Sequence, residues 1–117
     1  MSKKITILED DQGIRELCAY FFISEGYRVN SFGSISEMLK SQWTPNLYLL
    51  DIRLPDGNGL DVCSLLKNST SYAAIPIIMM SAHMEIATMT KSCKADYFIE
   101  KPFDLDNLLK QVEKLTA

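Results

Sequence analysis

Five polar side chains in separate parts of the chain have types that suit phosphoryl chemistry. They are Glu9, Asp10, Asp51, Ser81 and Lys101. Mg2+ is the usual ion where one or two carboxylates meet a phosphoryl group. Phosphoryl transfer needs positioning and charge neutralisation more than covalent help from the protein. A carboxylate nucleophile, a metal ion, an ammonium and a hydroxyl donor are therefore a sufficient set. Asp51 is the expected nucleophile, because it lies alone among apolar residues.

Each of these residues lies at or just beyond the end of a predicted strand. Apolar, β-branched segments predict strands at Lys4 to Leu8, Tyr27 to Phe32, Leu47 to Ile52, Ile75 to Met80 and Tyr97 to Glu100. Glu9 and Asp10 follow the first strand, and Asp51 lies near the end of the third. Ser81 and Lys101 follow the fourth and fifth strands.

Helical patterns fill the segments between the strands. The first helix is expected from Ile14 and ends at Gly26, and Ser34 with Glu37 forms a capping box for the second. The third helix is predicted at Leu60 to Lys67, a weaker fourth at Ile86 to Cys93, and a fifth after an N-cap at Asp104.

Strands that alternate with helices predict an α/β fold with a doubly wound parallel sheet. We expect five strands in the flavodoxin-like order 2-1-3-4-5, covered by five helices. In such sheets ligands bind beyond the carboxyl ends of the strands, so the five polar side chains should meet at one rim. Three carboxylates close together repel one another, and a positive partner is therefore expected among them.

The overall composition limits the other possibilities. A chain of 117 residues predicts a single domain spanning residues 1–117. A net charge of -3 and the lack of a Lys/Arg patch argue against nucleic-acid binding by this domain. The apolar run near the start is too short for a signal sequence or a membrane span. The three separated cysteines suggest no disulfide framework, so a cytoplasmic protein is expected.

Four motifs resemble those of a known family, the receiver domains of two-component response regulators. They are ILEDD at Ile7 to Asp11, LLDIRLPDGNGL at Leu49 to Leu60, MMSA at Met79 to Ala82 and FIEKPF at Phe98 to Phe103. They occur in order, each at the end of a predicted strand, and the resemblance runs over nearly the whole chain.

The resemblance implies a role for each residue of the site. Asp51 would be the phosphoacceptor, and Glu9, Asp10, Asp51 and the backbone carbonyl of Arg53 would bind Mg2+. Ser81 would hydrogen-bond the phosphoryl oxygens and Lys101 would pair with them. The Lys101-Pro102 peptide bond would be cis.

The resemblance also implies a phosphorylation-dependent signalling switch within a phosphorelay. The phosphoryl donor would be a histidine kinase or phosphotransfer protein. The domain is not a conventional enzyme; it would catalyse its own phosphorylation from phosphohistidine and its own dephosphorylation. Ser81 and Phe98 would couple the site to the surface of the fourth helix, fifth strand and fifth helix, where partners or a second copy would dock.

Two side chains are expected to tune the lifetime of the phosphorylated form. By resemblance, Arg53 and His83 flank the path by which water would reach the phosphoryl group. Neither can orient water as an added carboxylate would, so a long-lived phosphoryl-aspartate is one hypothesis. The alternative is that both side chains point into solvent and the lifetime is ordinary.

Two other functions share features with this sequence. An aspartyl-phosphate hydrolase of the haloacid dehalogenase type needs a second acid two residues after its nucleophile, and Arg53 occupies that position. A receiver-like interaction module that no longer depends on phosphorylation is the remaining alternative. The intact set of Asp10, Asp51, Ser81 and Lys101 argues against it.

Overall fold

The centre of the molecule is a parallel sheet of five strands. The computed structural model describes residues 2–82 and 93–117. The sheet contains β1 (Lys4–Leu8), β2 (Arg28–Phe32), β3 (Leu47–Asp51), β6 (Ile77–Ala82) and β7 (Tyr97–Lys101), in the order β2-β1-β3-β6-β7. Two short strands, β4 (Arg53–Leu54) and β5 (Gly57–Asn58), form a separate antiparallel pair. Counted within the large sheet alone, the order is 2-1-3-4-5, as predicted.

Helices cover both faces of this sheet. They are α1 (Gln12–Ser24), α2 (Ile35–Lys40), α3 (Gly59–Lys67) and α4 (Leu105–Thr116). The helix predicted at Ile86 to Cys93 lies outside the described residues except for Cys93, which is not helical. Among the parts of the chain that the structure describes, no helix is long and apolar enough to cross a membrane.

Local hydrogen bonds explain where the helices begin. Asp11 accepts a hydrogen bond from the Ile14 N–H at 3.0 Å, so α1 starts two residues earlier than predicted. Ser34 accepts from the Glu37 N–H at 3.3 Å, which confirms the predicted cap of α2. Asp104 caps the last helix, also as predicted.

The two faces of the sheet bury separate apolar clusters. The face toward α1 and α4 buries Ile5, Ile7, Leu47, Leu49, Ile78 and Met80. The face toward α2 and α3 buries Leu8, Tyr48, Leu50, Ile77 and Met79. All five residues of β3 are buried, as expected for a central parallel strand with helices on both sides.

The fourth strand of the sheet is shifted relative to the prediction. It covers Ile77–Ala82 rather than Ile75 to Met80. Pro76 has no N–H to donate to a neighbouring strand, which favours a start after it. At the other end, Ser81 pairs in register with Glu100 and Ala82 with Lys101. Ser81 therefore lies within β6, where the strand holds it in a fixed position.

Candidate functional site

Three carboxylates converge where β1 and β3 end. Glu9, Asp10 and Asp51 each offer an oxygen, and these oxygens all lie within 4.8 Å of one another. They meet because β1 and β3 are adjacent, with Leu8 opposite Leu50 in the register. Glu9 and Asp51 are buried, whereas Asp10 is exposed. The predicted meeting of these side chains at one rim is confirmed.

Lys101 reaches the same point from the far strand of the sheet. Its Nζ lies 2.6 Å from Glu9 Oε1 and 3.1 Å from Asp51 Oδ2. The lysine side chain is 21% exposed and that of Glu9 only 1%. Lys101 therefore forms two ion pairs in a largely buried setting, where interactions between charges are stronger than at an open surface.

The buried position of Glu9 changes its protonation. Burial is the main cause that raises the pKa of Glu9 from 4.5 to about 7, and a hydrogen bond with Asp51 adds to it. The hydrogen bond from Lys101 opposes this rise but does not cancel it. The Glu9 carboxyl therefore holds its proton to a higher pH than an exposed glutamate does.

Lys101 remains a cation in this setting. Burial alone would lower the pKa of Lys101, but the hydrogen bond from its ammonium to Glu9 and the charge of Asp51 together raise it above 10.5. One ammonium thus faces three acidic side chains. Oxygen ligands with an excess of negative charge are what a hard divalent cation requires, so the donor set fits such an ion.

The backbone around Asp51 is tightly packed. One carboxylate oxygen, Oδ1, accepts a hydrogen bond from the Ile52 N–H at 2.8 Å, and the other, Oδ2, accepts from Lys101. A Cβ at Gly59 would lie 1.8 Å from the backbone oxygen of Asp51. The Gly59 N–H also donates to the Ile52 carbonyl at 2.7 Å. Only glycine permits this approach, so Gly59 fixes the backbone that carries Asp51.

Ser81 presents an unsatisfied hydroxyl. The residue is fully buried, and its Oγ has no hydrogen-bond partner within the described residues. Leaving a buried polar group unpaired costs about 1–3 kcal/mol, so such a group is commonly retained for a functional reason. A hydroxyl at the carboxyl end of β6 suits a ligand oxygen at the rim.

The loop that carries Glu9 and Asp10 is held by a residue that the sequence did not single out. Arg15 Nη1 donates to the Glu9 carbonyl at 2.8 Å and more weakly to the Asp10 carbonyl at 3.4 Å. Gly33 leaves room for this guanidinium, because a Cβ there would lie 2.8 Å from Nη1. The signal available in the sequence was a basic residue in the first turns of the helix that follows the acidic loop.

The remaining candidate residues lie around this centre. Arg53 is on β4, paired in register with Asn58, and its side chain is exposed. Phe98 is on β7, partly buried against the cluster that contains Met79. The Lys101-Pro102 bond is cis, as the resemblance implied. His83 lies outside the described residues.

Comparison with known proteins identifies similar sequences. The family model described as the response regulator receiver domain matches residues 5–113. The chain is 30% identical over 118 residues to the phosphate regulon transcriptional regulatory protein PhoB of Klebsiella pneumoniae, covering 97% of this chain and 51% of that protein. It is 32% identical over 116 residues to the DNA-binding dual master transcriptional regulator RpaA of Synechocystis sp., covering 96% and 48%. The chain thus spans about half the length of these curated relatives.

Solved structures resemble the fold over its whole length. A CheY-like response regulator receiver domain protein from Methanospirillum hungatei superimposes with a TM-score of 0.84 at 31% identity, covering 98% of this chain and 94% of that one. A putative response regulator from Chloroflexus aurantiacus gives a TM-score of 0.92 at 23% identity, covering 100% and 99%. The second likeness supports the fold alone.

Proposed function

Because the chain belongs to the family of response regulator receiver domains, we propose that Asp51 accepts a phosphoryl group from a histidine kinase or phosphotransfer protein. Members of this family act as phosphorylation-dependent switches in two-component systems, and this chain has the same role. The observation that carries the proposal is the buried Asp51 carboxylate, which lies within 4.8 Å of two further acids and 3.1 Å from Lys101.

The transfer itself needs one nucleophile and two neutralising groups. A carboxylate oxygen of Asp51 would form a bond to phosphorus while the bond from phosphorus to the donor histidine nitrogen breaks. Lys101 is already bound to Asp51 and, with its raised pKa, stays charged to pair with the phosphoryl oxygens. The hydroxyl of Ser81, which has no hydrogen-bond partner among the described residues, would donate to one of them.

A divalent cation, which we take to be Mg2+, completes the proposed site. The carboxylates of Glu9, Asp10 and Asp51 and the backbone carbonyl of Arg53 would hold it. When bound, Mg2+ would neutralise charge on the transferring phosphoryl group. The excess negative charge at the rim supports this assignment, as does the proximity of the three acids. Arg15 acts as a positioning residue, because it holds the carbonyls of the loop that bears two of these acids.

The signal would leave the site along β6 and β7. Ser81 and Phe98 lie on these adjacent strands, and Phe98 is only partly buried. Engagement of Ser81 by a phosphoryl group would alter the position of Phe98 and the surface formed by β7, α4 and the predicted helix at Ile86 to Cys93. We propose that a protein partner or a second copy of the chain docks there, in the cytoplasm.

The direct test is phosphorylation in solution. The chain is incubated with acetyl phosphate and Mg2+, and intact-protein mass spectrometry counts the phosphoryl groups. One group is expected in wild type and none in Asp51→Asn. Asp61→Asn is the matched control, since Asp61 is an exposed acid in the first turn of α3. A wild-type chain that stays unmodified at saturating Mg2+ would favour the interaction module that does not depend on phosphorylation.

Arg53 and His83 would set how long the phosphoryl group remains. Arg53 is exposed and lies two residues beyond the acceptor, where its side chain can cover the phosphoryl oxygens. Phosphate release is measured for wild type, Arg53→Ala and His83→Ala. Shielding predicts faster release in at least one variant, and unchanged or slower release in both would reject it.

A further inference from the structure

A cavity lies under α2 and α3, on one face of the sheet. Its volume is about 280 Å³, and none of the residues of the carboxylate rim lines it. Four aromatic side chains form much of its wall: Phe32, Trp43, Tyr48 and Tyr72. The floor is closed by the sheet, where Thr6 is 2% exposed and Tyr48 is 5% exposed.

The cavity borders the short helix α2 and the segment that follows it. This helix has six residues and ends at Lys40, and the chain then continues without regular structure until β3. Trp43 lies in this irregular segment and lines the cavity. Its backbone N–H donates to Ser41 Oγ at 3.2 Å, and Lys4 Nζ lies 5.8 Å from the centre of its ring.

The lining is apolar with several neutral polar groups. The lining residues with a hydroxyl are Thr6, Ser41, Tyr48, Ser69 and Tyr72, and none of the described residues that line the cavity is charged. Burial, with the nearby Tyr72, raises the pKa of Tyr48 to about 12, so its hydroxyl stays neutral. Mostly apolar walls with a few well-placed polar groups are typical of small-molecule sites.

We infer that this cavity binds a small neutral molecule with one or two aromatic rings and one hydroxyl or ring N–H group. A cavity of about 150 Å³ lined by apolar side chains accommodates benzene, and this one is nearly twice as large. The aromatic walls suit flat rings. A charged molecule would lose its hydration without gaining a partner of opposite charge among the described residues that line the cavity. At the mouth, Leu39 and Leu65 are 56% and 58% exposed and would be partly covered by such a ligand.

The test uses the single tryptophan of the chain as the reporter. The probe is 2-naphthol, and naphthalene-2-sulfonate provides the same rings with a charge. The Trp43 indole N–H resonance and the backbone amides of Thr6 and Tyr72 are followed by NMR during titration. We expect saturable shifts with 2-naphthol and binding of the sulfonate that is at least about tenfold weaker. The absence of saturable shifts, or equal affinity for both probes, would overturn the inference.

Two variants separate the cavity from non-specific binding. Ser69→Phe fills the cavity and should abolish the saturable shifts, whereas Ser71→Phe adds the same ring at an exposed position outside the lining and should not. Tyr72→Phe keeps the volume but removes one hydroxyl, so it should weaken binding of 2-naphthol more than binding of naphthalene. Wild-type affinity for 2-naphthol in Ser69→Phe would contradict the assignment. Equal losses of affinity for 2-naphthol and for naphthalene in Tyr72→Phe would also contradict it.

Discussion

Replacing Glu9 by glutamine should change how the stability of the metal-free protein depends on pH. The folded state raises the pKa of Glu9 from 4.5 to about 7, chiefly by burial. The folded state therefore binds this proton more tightly than the unfolded state does, and stability falls as pH rises between these two values. At about 1.4 kcal/mol per pH unit, the full loss above pH 7 is about 3 kcal/mol. Glu9→Gln keeps the shape and a hydrogen-bond acceptor for Lys101 but removes this titration.

Urea unfolding in EDTA across roughly pH 5 to pH 8 measures the effect. Relative to wild type, Glu9→Gln should gain roughly 2 to 3 kcal/mol in free energy of unfolding over this range. Glu113→Gln, an exposed glutamate on α4, should follow the wild-type profile. Parallel profiles for wild type and Glu9→Gln would refute the reasoning, because they would mean that the Glu9 carboxyl titrates alike in the folded and unfolded states.

Further expected outcomes concern the metal, the backbone and a loop contact. Mg2+ should raise the free energy of unfolding by about 1.4 kcal/mol at ten times its dissociation constant. Asp51→Asn should stabilise the metal-free protein, because it removes one of the clustered charges. Thermal denaturation with and without Mg2+ checks both expectations. Gly59→Ala should lower the free energy of unfolding by at least about 2 kcal/mol, since its Cβ would lie 1.8 Å from the backbone oxygen of Asp51. Gly13→Ala is the control, because its Cβ would meet only a side-chain oxygen at 3.3 Å, and it should lower this free energy much less in the same urea assay. Asp56 accepts hydrogen bonds from the Ile35 and Ser36 N–H groups, each at 2.9 Å, which lower its pKa below 3.8. Asp56→Ala should therefore destabilise the protein at neutral pH, and the difference from wild type should shrink as pH falls below 3.8, as followed by circular dichroism.

Local patterns in the sequence were sufficient to predict the sheet and the rim. The near-continuous apolar segment Leu47 to Ile52 can be buried on both faces only in a central strand. Parallel strands share the edge at which they end, so Asp51 had to lie near the acids that follow β1. The caps at Ser34 and Asp104 were also predictable, because each involves residues two or three positions apart.

Features that depend on residues far apart in the chain were decided by the tertiary structure. The motif PDGNGL does not by itself show that Gly59 packs against the Asp51 carbonyl or that Asp56 binds the first turn of α2. The raised pKa of Glu9 depends on how deeply its carboxyl is buried beside Asp51 and Lys101, which no residue spacing specifies.

The spacing of apolar residues along the sequence therefore determined which segments form strands and which acidic residues lie at the same edge of the sheet. This spacing is sufficient because backbone hydrogen bonding and burial act within each segment. The cavity lined by Phe32, Trp43, Tyr48 and Tyr72 is a feature that this spacing does not predict. These four side chains come from β2, the segment before β3, β3 itself and the segment after α3. They meet only in the folded chain, and the space between them is determined by how the packed elements fit together in three dimensions.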